Sequence, residues 1–257
     1  MSSDTATRQR RSGLGRFGVF VRELLIVVVG ALLVSSLLRA FVGQMFIIPS
    51  ESMENTLLVG DRVVVQKISD GQRGDVIVFE DPGNWLGSGD RADPTPVDRV
   101  LEFVGFPTAS SPEHLIKRVI GTPGDRVVCC DIEGRITVNG DPLDETSYLY
   151  TDPDGVQVAP SDVAFDITVP AERLFVMGDH RDLSADSRCH LSDLSLGGPP
   201  GAVAFVGLDK VVGPAFAIAA PLKRATVLHR PDTFASVPAP NEPAPDQAVI
   251  KPKDVTC

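Results

Sequence analysis

The sequence is poor in cysteine and histidine, the residues from which most structural metal sites are built. Its 257 residues include 4 of each, and no cysteine pair has the C-x-x-C spacing of a zinc site. Four cysteines are also too few for a disulfide scaffold. Cys129 and Cys130, as chain neighbours, are not expected to pair with each other. A bridge from either to Cys189, and a fully reduced state that includes Cys257, both remain open.

An excess of acidic residues argues against a nucleic-acid-binding protein. The chain carries 34 acidic and 24 basic side chains, a formal net charge of −10. Five arginines against Asp4 and Glu23 give the first 23 residues a net +3, so the rest of the chain carries −13. A body this acidic repels phosphate backbones. The basic segment instead leads into an apolar run.

Long apolar runs are scarce, and the main one is Leu24–Leu38, which contains no charge over 15 residues. As a helix it extends about 22 Å, short of the roughly 30 Å hydrocarbon core of a bilayer. The flanking residues extend this run, since Phe17–Phe46 contains few charges. The sequence therefore predicts a transmembrane anchor over residues 19–45. The preceding arginines then keep residues 1–18 in the cytoplasm. A cleaved secretory signal is less favoured because no small-x-small site follows, and a buried core helix is the third alternative.

After the anchor, short β-branched runs alternate with turns rich in glycine, proline and aspartate. This pattern is typical of a mostly β domain, and Asn139-Gly140 predicts a type I′ hairpin turn. We assign residues 46–228 to an extracytoplasmic domain, with a surface insertion at 81–114 and a β cap subdomain at 126–170. The Pro- and Ala-rich residues 229–257 are predicted to form a disordered tail. The predicted strands are Arg62–Lys67, Asp75–Phe79, Ile116–Ile120, Arg126–Cys129, Arg135–Val138, Leu174–Met177, Val203–Val206 and Phe216–Ala219.

Two serines follow a proline in Pro49–Leu57, the first segment after the anchor. The hydroxyl of one of these serines, Ser50 or Ser52, could attack a substrate. The hydroxyl of the other could then donate a hydrogen bond to the negative charge that develops on the substrate. Serine-rich turns are common, so this segment alone is weak evidence of chemistry. The next segment, Gly60–Lys67, is interpreted mainly as a turn and a core strand, with Lys67 in solvent.

Lysine is also scarce, and Lys117, in the apolar segment Leu115–Asp125, is one of only six. Its side chain points either outward to water, the usual case for a strand lysine, or inward. If it is buried and acts as a base near neutrality, its pKa must fall from about 10.4 to about 7–8, a cost of ~4 kcal/mol. His180, in the polar segment Met177–Arg188, is the alternative base, but no G-x-S-x-G elbow surrounds either serine.

Taken together and in this order, the four segments resemble the bacterial type I signal peptidases over roughly residues 20–225. The resemblance implies a mostly β, LexA-like fold preceded by one N-terminal transmembrane helix. Three residues depart from the family pattern: His180 and Leu183 replace Asn, and Leu115 stands where many members have Tyr. The matches are Pro49–Leu57 for P-S-x-S-M-x-x-T-L, Gly60–Lys67 for G-D-x-V-x-V-x-K, Lys117–Asp125 for K-R-V-I-G-x-P-G-D and Gly178–Arg188 for G-D-N-R-D-N-S-x-D-S-R.

The resemblance implies a catalytic role for four residues. Ser52 attacks the scissile carbonyl and Lys117 removes its proton. Ser50 donates to the oxyanion beside the backbone N–H of Ser52, and Ser184 orients Lys117. Serine and lysine supply both nucleophile and base, so no metal or organic cofactor is implied.

Further residues are implied as structural support and as a substrate-binding wall. Asp179 with Arg118, and Asp186 with Arg188, are expected to form ion pairs between the segments. The wall would offer shallow pockets to small side chains at the first and third positions before the cut, the A-x-A rule. Its implied members are Ile48, Pro49, Met53, Leu57, Leu115 and Ile116.

The sequence therefore predicts a membrane-anchored serine endopeptidase that cleaves N-terminal signal peptides from exported preproteins. Its expected location is the bacterial cell membrane, with the N-terminus cytoplasmic and the catalytic domain extracytoplasmic. Expected partners are signal peptides, the lipid bilayer and the nearby export machinery, with no nucleic acid. The alternatives are a non-catalytic membrane-anchored β module that binds exported proteins, a self-cleaving repressor-type protease, and a secreted β protein with a cleaved leader.

Overall fold

The computed structural model describes residues 12–41, 43–83, 85–87, 95, 113–194 and 198–251. The chain divides into two compact units, Met1–Val42 and Gly43–Cys257. Most of the surface insertion predicted at 81–114 lies outside the described residues, as does most of the basic N-terminal segment.

The first unit contains one described helix, α1, over Ser12–Phe41. No proline interrupts this segment, and its many leucines favour helix. The apolar side chains that are described on this helix are exposed, among them Phe20 at 62% and Val27 at 67%. The transmembrane anchor predicted over residues 19–45 is not confirmed, because no helix among the described residues is long and apolar enough to cross a membrane.

The second unit is built on an eight-stranded antiparallel sheet, which confirms the mostly β architecture. Its strands are β1 (Gln44–Ile47), β2 (Arg62–Val65), β3 (Val76–Glu80), β4 (His114–Gly121), β9 (Arg173–Met177), β10 (Val206–Gly207), β11 (Val211–Ala220) and β12 (Thr226–Val227). Their order is β1-β2-β11-β3-β4-β9-β10, and β12 pairs with β11 outside this path. Strand β4 is therefore central, with β3 and β9 on its two sides.

A second antiparallel sheet has five strands in the order β13-β8-β5-β6-β7. The strands are β5 (Arg126–Cys129), β6 (Thr137–Val138), β7 (Asp141–Pro142), β8 (Phe165–Thr168) and β13 (Val249–Lys251). Between β6 and β7, φ is 54° at Asn139 and 87° at Gly140. Positive φ at both positions is what a type I′ turn requires, so this predicted turn is confirmed.

The disordered tail predicted at 229–257 is wrong for the described residues, which extend to position 251. Phe234 and Val237 are 5% and 7% exposed and belong to the largest apolar cluster of the molecule. Val249–Lys251 then pairs with β8 as strand β13. A few apolar side chains of this proline-rich segment are thus buried, which the composition of the segment does not indicate.

Among the described residues of the second unit, buried apolar side chains form three clusters. The largest joins the two sheets and includes Phe165 and Phe175. The second lies under the segment that follows β1 and includes Met53 and Leu57. The third packs Phe79 of β3 with neighbours from β4 and β9. The second and third clusters hold the elements that carry the polar residues described below.

Cys129 and Cys130 form a disulfide bond with each other, which corrects the expectation that these neighbours do not pair. The peptide bond between them is cis and their Cα atoms are 2.9 Å apart. Across a trans bond the spacing would be about 3.8 Å. No cysteine in the described part of the chain is a free thiol, so the fully reduced alternative is also wrong there.

Candidate active site

Pro49–Leu57 forms a compact turn directly after β1, which we call the serine turn. Its middle, Glu51–Met53, is a single turn of 3-10 helix. Met53 and Leu57 are fully buried and anchor the turn in the apolar cluster beneath it. The packing therefore fixes the position of Ser52, which has 5% of its surface exposed.

Lys117 lies in the middle of β4 and points into the molecule. Strands β3 and β9 flank it, and only 3% of its surface is exposed. Its Nζ donates a hydrogen bond to Ser52 Oγ over 2.5 Å. The inward orientation is one of the two that the sequence left open, and it brings a potential base into direct contact with a potential nucleophile.

Burial lowers the pKa of Lys117 from 10.5 to about 8. The charges of Asp186 and Asp179 act in the opposite direction, and that of Arg188 adds to the lowering. Removal of the ammonium group from water outweighs the attraction of the two carboxylates. About a tenth of the molecules therefore hold an unprotonated Lys117 at neutral pH, which is the form that a general base needs.

Ser50 places a second hydroxyl beside the first. Its backbone is extended, and its Oγ lies 3.3 Å from Ser52 Oγ, with either atom able to donate. A hydroxyl in this position can turn towards an oxyanion that forms on a carbon attacked by Ser52.

Ser184 lies beside the serine turn and is bound to a carboxylate. Its Oγ donates to Asp186 Oδ2 over 2.7 Å, and the same oxygen accepts from the Gly178 N–H at 3.0 Å. A Cβ on Gly178 would lie 2.5 Å from both the Ser184 Cβ and the Ser52 carbonyl oxygen. The absence of a side chain at Gly178 thus permits Ser52 and Ser184 to lie close together. Among the described residues, no hydrogen bond joins Ser184 to Lys117.

Two ion pairs are buried at the polar loop that follows β9: Arg118–Asp179 connects this loop to β4, whereas Arg188–Asp186 lies within the loop and does not join two segments as expected. Arg118 binds Asp179 through hydrogen bonds of 2.8 and 2.6 Å, and Arg188 binds Asp186 through two of 2.9 Å. Burial acts to raise the pKa of Asp186, but Arg188 and the N–H of Gly178 hold it below its ordinary value. Asp186 therefore stays charged close to the Lys117 ammonium group.

A third buried ion pair joins Arg181 to Glu145, and it was not predicted from the sequence. Arg181 Nη2 lies 2.5 Å from Glu145 Oε1, and the Tyr148 hydroxyl donates to the same oxygen over 2.6 Å. The Tyr148 ring also lies under the Arg118 guanidinium, 4.3 Å from it. Burial raises the pKa of Tyr148 well above its ordinary value, so the phenol keeps its proton. Nothing in the sequence pairs Glu145 with an arginine 36 residues away.

The residues implied as a substrate-binding wall differ in exposure. Pro49 is exposed and Leu115 half-buried, so these two have surface available for contact. The others belong to the apolar cluster beneath the serine turn and are 0 to 6% exposed: Ile48, Met53, Leu57 and Ile116.

The rival bases lie elsewhere. Lys67 is exposed beyond the end of β2. His180 is buried, but its Nδ1 faces Glu54 Oε2 at 3.2 Å. Its link to Ser52 runs through the backbone, where the His180 N–H donates to the Ser52 carbonyl over 3.1 Å. Within the described ranges, no cluster of His, Cys, Asp and Glu side chains could hold a metal ion.

Comparison with known proteins identifies the family. The sequence matches the family described as signal peptidase, peptidase S26, over residues 21–220. The chain belongs to the peptidase S26 family. Among its relatives, signal peptidase I of Mycobacterium tuberculosis is 38% identical over 205 residues, which cover 71% of this chain and 68% of that protein. The probable signal peptidase I of Mycobacterium leprae is 36% identical over 245 residues, which cover 84% and 79%.

A solved structure of similar description is more distant. The crystal structure of a signal peptidase I from Enterococcus faecalis is 22% identical and has a TM-score of 0.30. The match covers 57% of this chain and 97% of that one. Membership of the S26 family, rather than this structure, implies that the chain is a peptidase and hence a hydrolase.

The three residues that depart from the S26 sequence pattern lie in different environments. Leu183 is 55% exposed, and Leu115 packs at the edge of the third apolar cluster. Only His180 of the three is tied to the serine turn, through both its backbone and its ring.

Proposed function

We propose that this S26 peptidase is a serine endopeptidase that cleaves N-terminal signal peptides from exported preproteins with a Ser52–Lys117 pair. The observation that carries the proposal is the buried contact between Lys117 Nζ and Ser52 Oγ at 2.5 Å. The names of the mycobacterial relatives, signal peptidase I and probable signal peptidase I, support the substrate class.

In the first half of the reaction, Lys117 acts as base and then as acid. Unprotonated Lys117 takes the proton of Ser52 Oγ as this oxygen attacks the scissile carbonyl carbon. The tetrahedral intermediate breaks down when the Lys117 ammonium group gives its proton to the leaving nitrogen. The mature protein departs with a new amino terminus, and the signal peptide stays on Ser52 as an ester.

In the second half, water replaces the amine. Lys117, again unprotonated, takes a proton from the water molecule that attacks the ester carbon. The proton then passes to Ser52 Oγ as the signal peptide leaves with a new carboxyl terminus. One buried amine with a pKa of about 8 can perform all four transfers, because it is easily protonated and deprotonated near neutrality.

Both tetrahedral intermediates carry a negative oxygen that needs donors. The backbone N–H of Ser52 and the hydroxyl of Ser50 are the proposed pair, each worth roughly 3–4 kcal/mol of barrier. We propose that Ser184, held by Asp186, limits the movement of the Lys117 side chain. Asp186 also favours the ammonium form that each attack creates, since its charge raises the Lys117 pKa.

The proposed preference for A-x-A sites follows from the exposure of the wall. Four of its six members are almost fully buried beneath the serine turn. Pro49 and Leu115 supply the surface for contact, and the buried members leave no deep pocket beneath it, so alanine side chains fit and larger ones do not.

We propose that the protein resides at the bacterial cell membrane, with its N-terminus cytoplasmic and the peptidase unit outside. The exposed apolar side chains of α1 and the arginines before them support contact with lipid. Signal peptides, themselves apolar, would meet the enzyme there, close to the export machinery.

The direct test supplies the full-length protein in detergent with a secretory precursor that contains an Ala-x-Ala site. Wild type should release a mature protein whose new N-terminus follows the second alanine. Ser52→Ala and Lys117→Ala should each slow the reaction by at least about 10³-fold. His229→Asn, which changes an exposed histidine, serves as the control and should behave as wild type.

Other results would change the assignment. An active Lys117→Ala variant would exclude Lys117 as the base. A wild type that binds the precursor without cutting it would favour the non-catalytic module instead.

A further inference from the structure

The ring of His180 is buried beside the serine turn with one nitrogen unpaired. Its side chain is 8% exposed, and one face stacks on Tyr150 with ring centroids 3.8 Å apart. Nδ1 lies 3.2 Å from Glu54 Oε2 but outside hydrogen-bond geometry, and has no other partner among the described residues. An unpaired buried nitrogen costs free energy. The Glu54 side chain, 24% exposed, is free enough to turn towards it.

His180 also connects the two segments that carry the active-site serines. Its N–H donates to the carbonyl of Ser52 over 3.1 Å, and its carbonyl accepts from the N–H of Leu183 at 3.1 Å. Leu183 ends the short 3-10 turn that leads to Ser184. Glu54 follows Ser52 by two positions. A bond between the ring and Glu54 would therefore close a second link between the same two segments.

We propose that His180 is a positioning residue of the peptidase site, whose imidazole Nδ1–H donates to the Glu54 carboxylate and fixes the serine turn against the loop that carries Ser184. This inference rests on the proposed function. It concerns the side chain that replaces the asparagine of the family pattern, and His180 touches neither of the reacting atoms.

The charged groups around the ring leave Glu54 as its partner. Asp179 and Arg181 flank His180 in the chain, but each is bound in a buried pair, with Arg118 and Glu145 respectively. Tyr150 contributes its ring face from the segment packed on the other side.

A histidine ring that carries a proton on Nδ1 can donate this hydrogen bond to a carboxylate. A link that fixes the serine turn acts on the chemical step, so its loss should lower kcat and leave KM unchanged. It should also make the effects of changes at positions 54 and 180 non-additive. A merely structural role of His180 would not produce both effects.

A double-mutant cycle tests the proposal. We would measure kcat and KM of the full-length protein on the Ala-x-Ala precursor for wild type, His180→Asn, Glu54→Gln and the double variant. Each single variant should have a kcat about threefold lower with KM unchanged, and the double variant should be no slower than either. The control cycle, His229→Asn with Glu133→Gln, should show additive effects.

Each outcome decides a different point. Additive effects at positions 54 and 180, or losses confined to KM, would overturn the inference, while cleavage by wild type upholds the proposed function. A wild type that never cleaves the precursor would remove both. Urea unfolding checks that each variant is folded, and His180→Gln replaces His180→Asn if the latter is not.

Discussion

Lys117 alone is buried among the lysines in the described part of the chain. Its hydrogen-bond partner is a neutral hydroxyl, so the ammonium group lacks a directly bound carboxylate. The fall in pKa from 10.5 to about 8 corresponds to about 3 kcal/mol against the charged form. A side chain this costly in a central strand is typical of a functional site.

The first prediction concerns the pH dependence of cleavage. Below the pKa of Lys117, about 8, the protonated amine cannot accept the Ser52 proton, so kcat/KM should rise tenfold per pH unit and then level off. At about pH 6 the rate should be about 100-fold below the plateau. Initial rates between about pH 5.5 and 9.5 at constant ionic strength provide the measurement. A profile that is flat across this range would mean that Lys117 is not the titrating base.

The second prediction concerns Gly178, which sequence reasoning treated only as part of a motif. The Cβ of Gly178→Ala would collide with the Ser52 carbonyl oxygen and with the Ser184 Cβ, at 2.5 Å from each, and with the Ser184 hydroxyl. Because the first contact is with backbone, the serine turn must shift, and we expect kcat/KM to fall by about 100-fold or more. Gly30→Ala, where a Cβ meets no atom within 4 Å, is the matched control. Normal cleavage by a folded Gly178→Ala variant would show that this close approach is unimportant.

The residues of the site differ in how far the sequence could predict them. Ser52 and Lys117 lie in short segments whose residue order is itself distinctive. The sequence left the direction of Lys117 open, because a strand side chain points to one face or the other according to register. Arg181 and Glu145 pair across 36 residues, a contact that only the packing of the cap segment against the loop creates.

At the level of elements, runs of β-branched residues predicted the main strands but not the short ones. Arg126–Cys129 is a strand with the predicted bounds. The anchor predicted over residues 19–45 includes Gln44 and Met45, yet these two residues begin strand β1, which pairs with β2. Ala202–Ala204 forms a 3-10 turn that overlaps the predicted strand Val203–Val206, and the observed strand β10 is Val206–Gly207. Short strands depend on their partners more than on their own composition.

The third prediction tests whether the C-terminal segment is part of the fold. Phe234 is 5% exposed, and its ring lies 6.2 Å from that of Tyr148, which is bound to Glu145. Phe234→Ala should therefore lower the free energy of unfolding by about 3 kcal/mol through lost burial and a cavity. Leu222→Ala, at a residue 86% exposed, should change it by less than about 0.5 kcal/mol. Urea denaturation measures both, and equal stabilities would place Phe234 outside the core.

At the level of the whole molecule, the candidate site residues and the helix that is proposed to contact lipid belong to different units. Every candidate site residue lies within Gly43–Cys257, as do the three buried apolar clusters. Met1–Val42 instead carries the arginine-rich segment and a helix with exposed apolar side chains. A unit with its own core can fold alone, whereas exposed apolar surface of this extent marks a site of association.

The last prediction follows from that division. A chain that begins at Gly43 should fold and cleave the Ala-x-Ala precursor in detergent within about tenfold of the full-length kcat/KM, because all the proposed catalytic groups remain. It should no longer sediment with lipid vesicles, since the exposed side chains of α1 are absent. Wild type and the truncated Ser52→Ala variant are the positive and negative controls. A truncated chain that is folded but inactive would mean that the first unit contributes to catalysis itself, whereas continued sedimentation would assign lipid binding to the second unit.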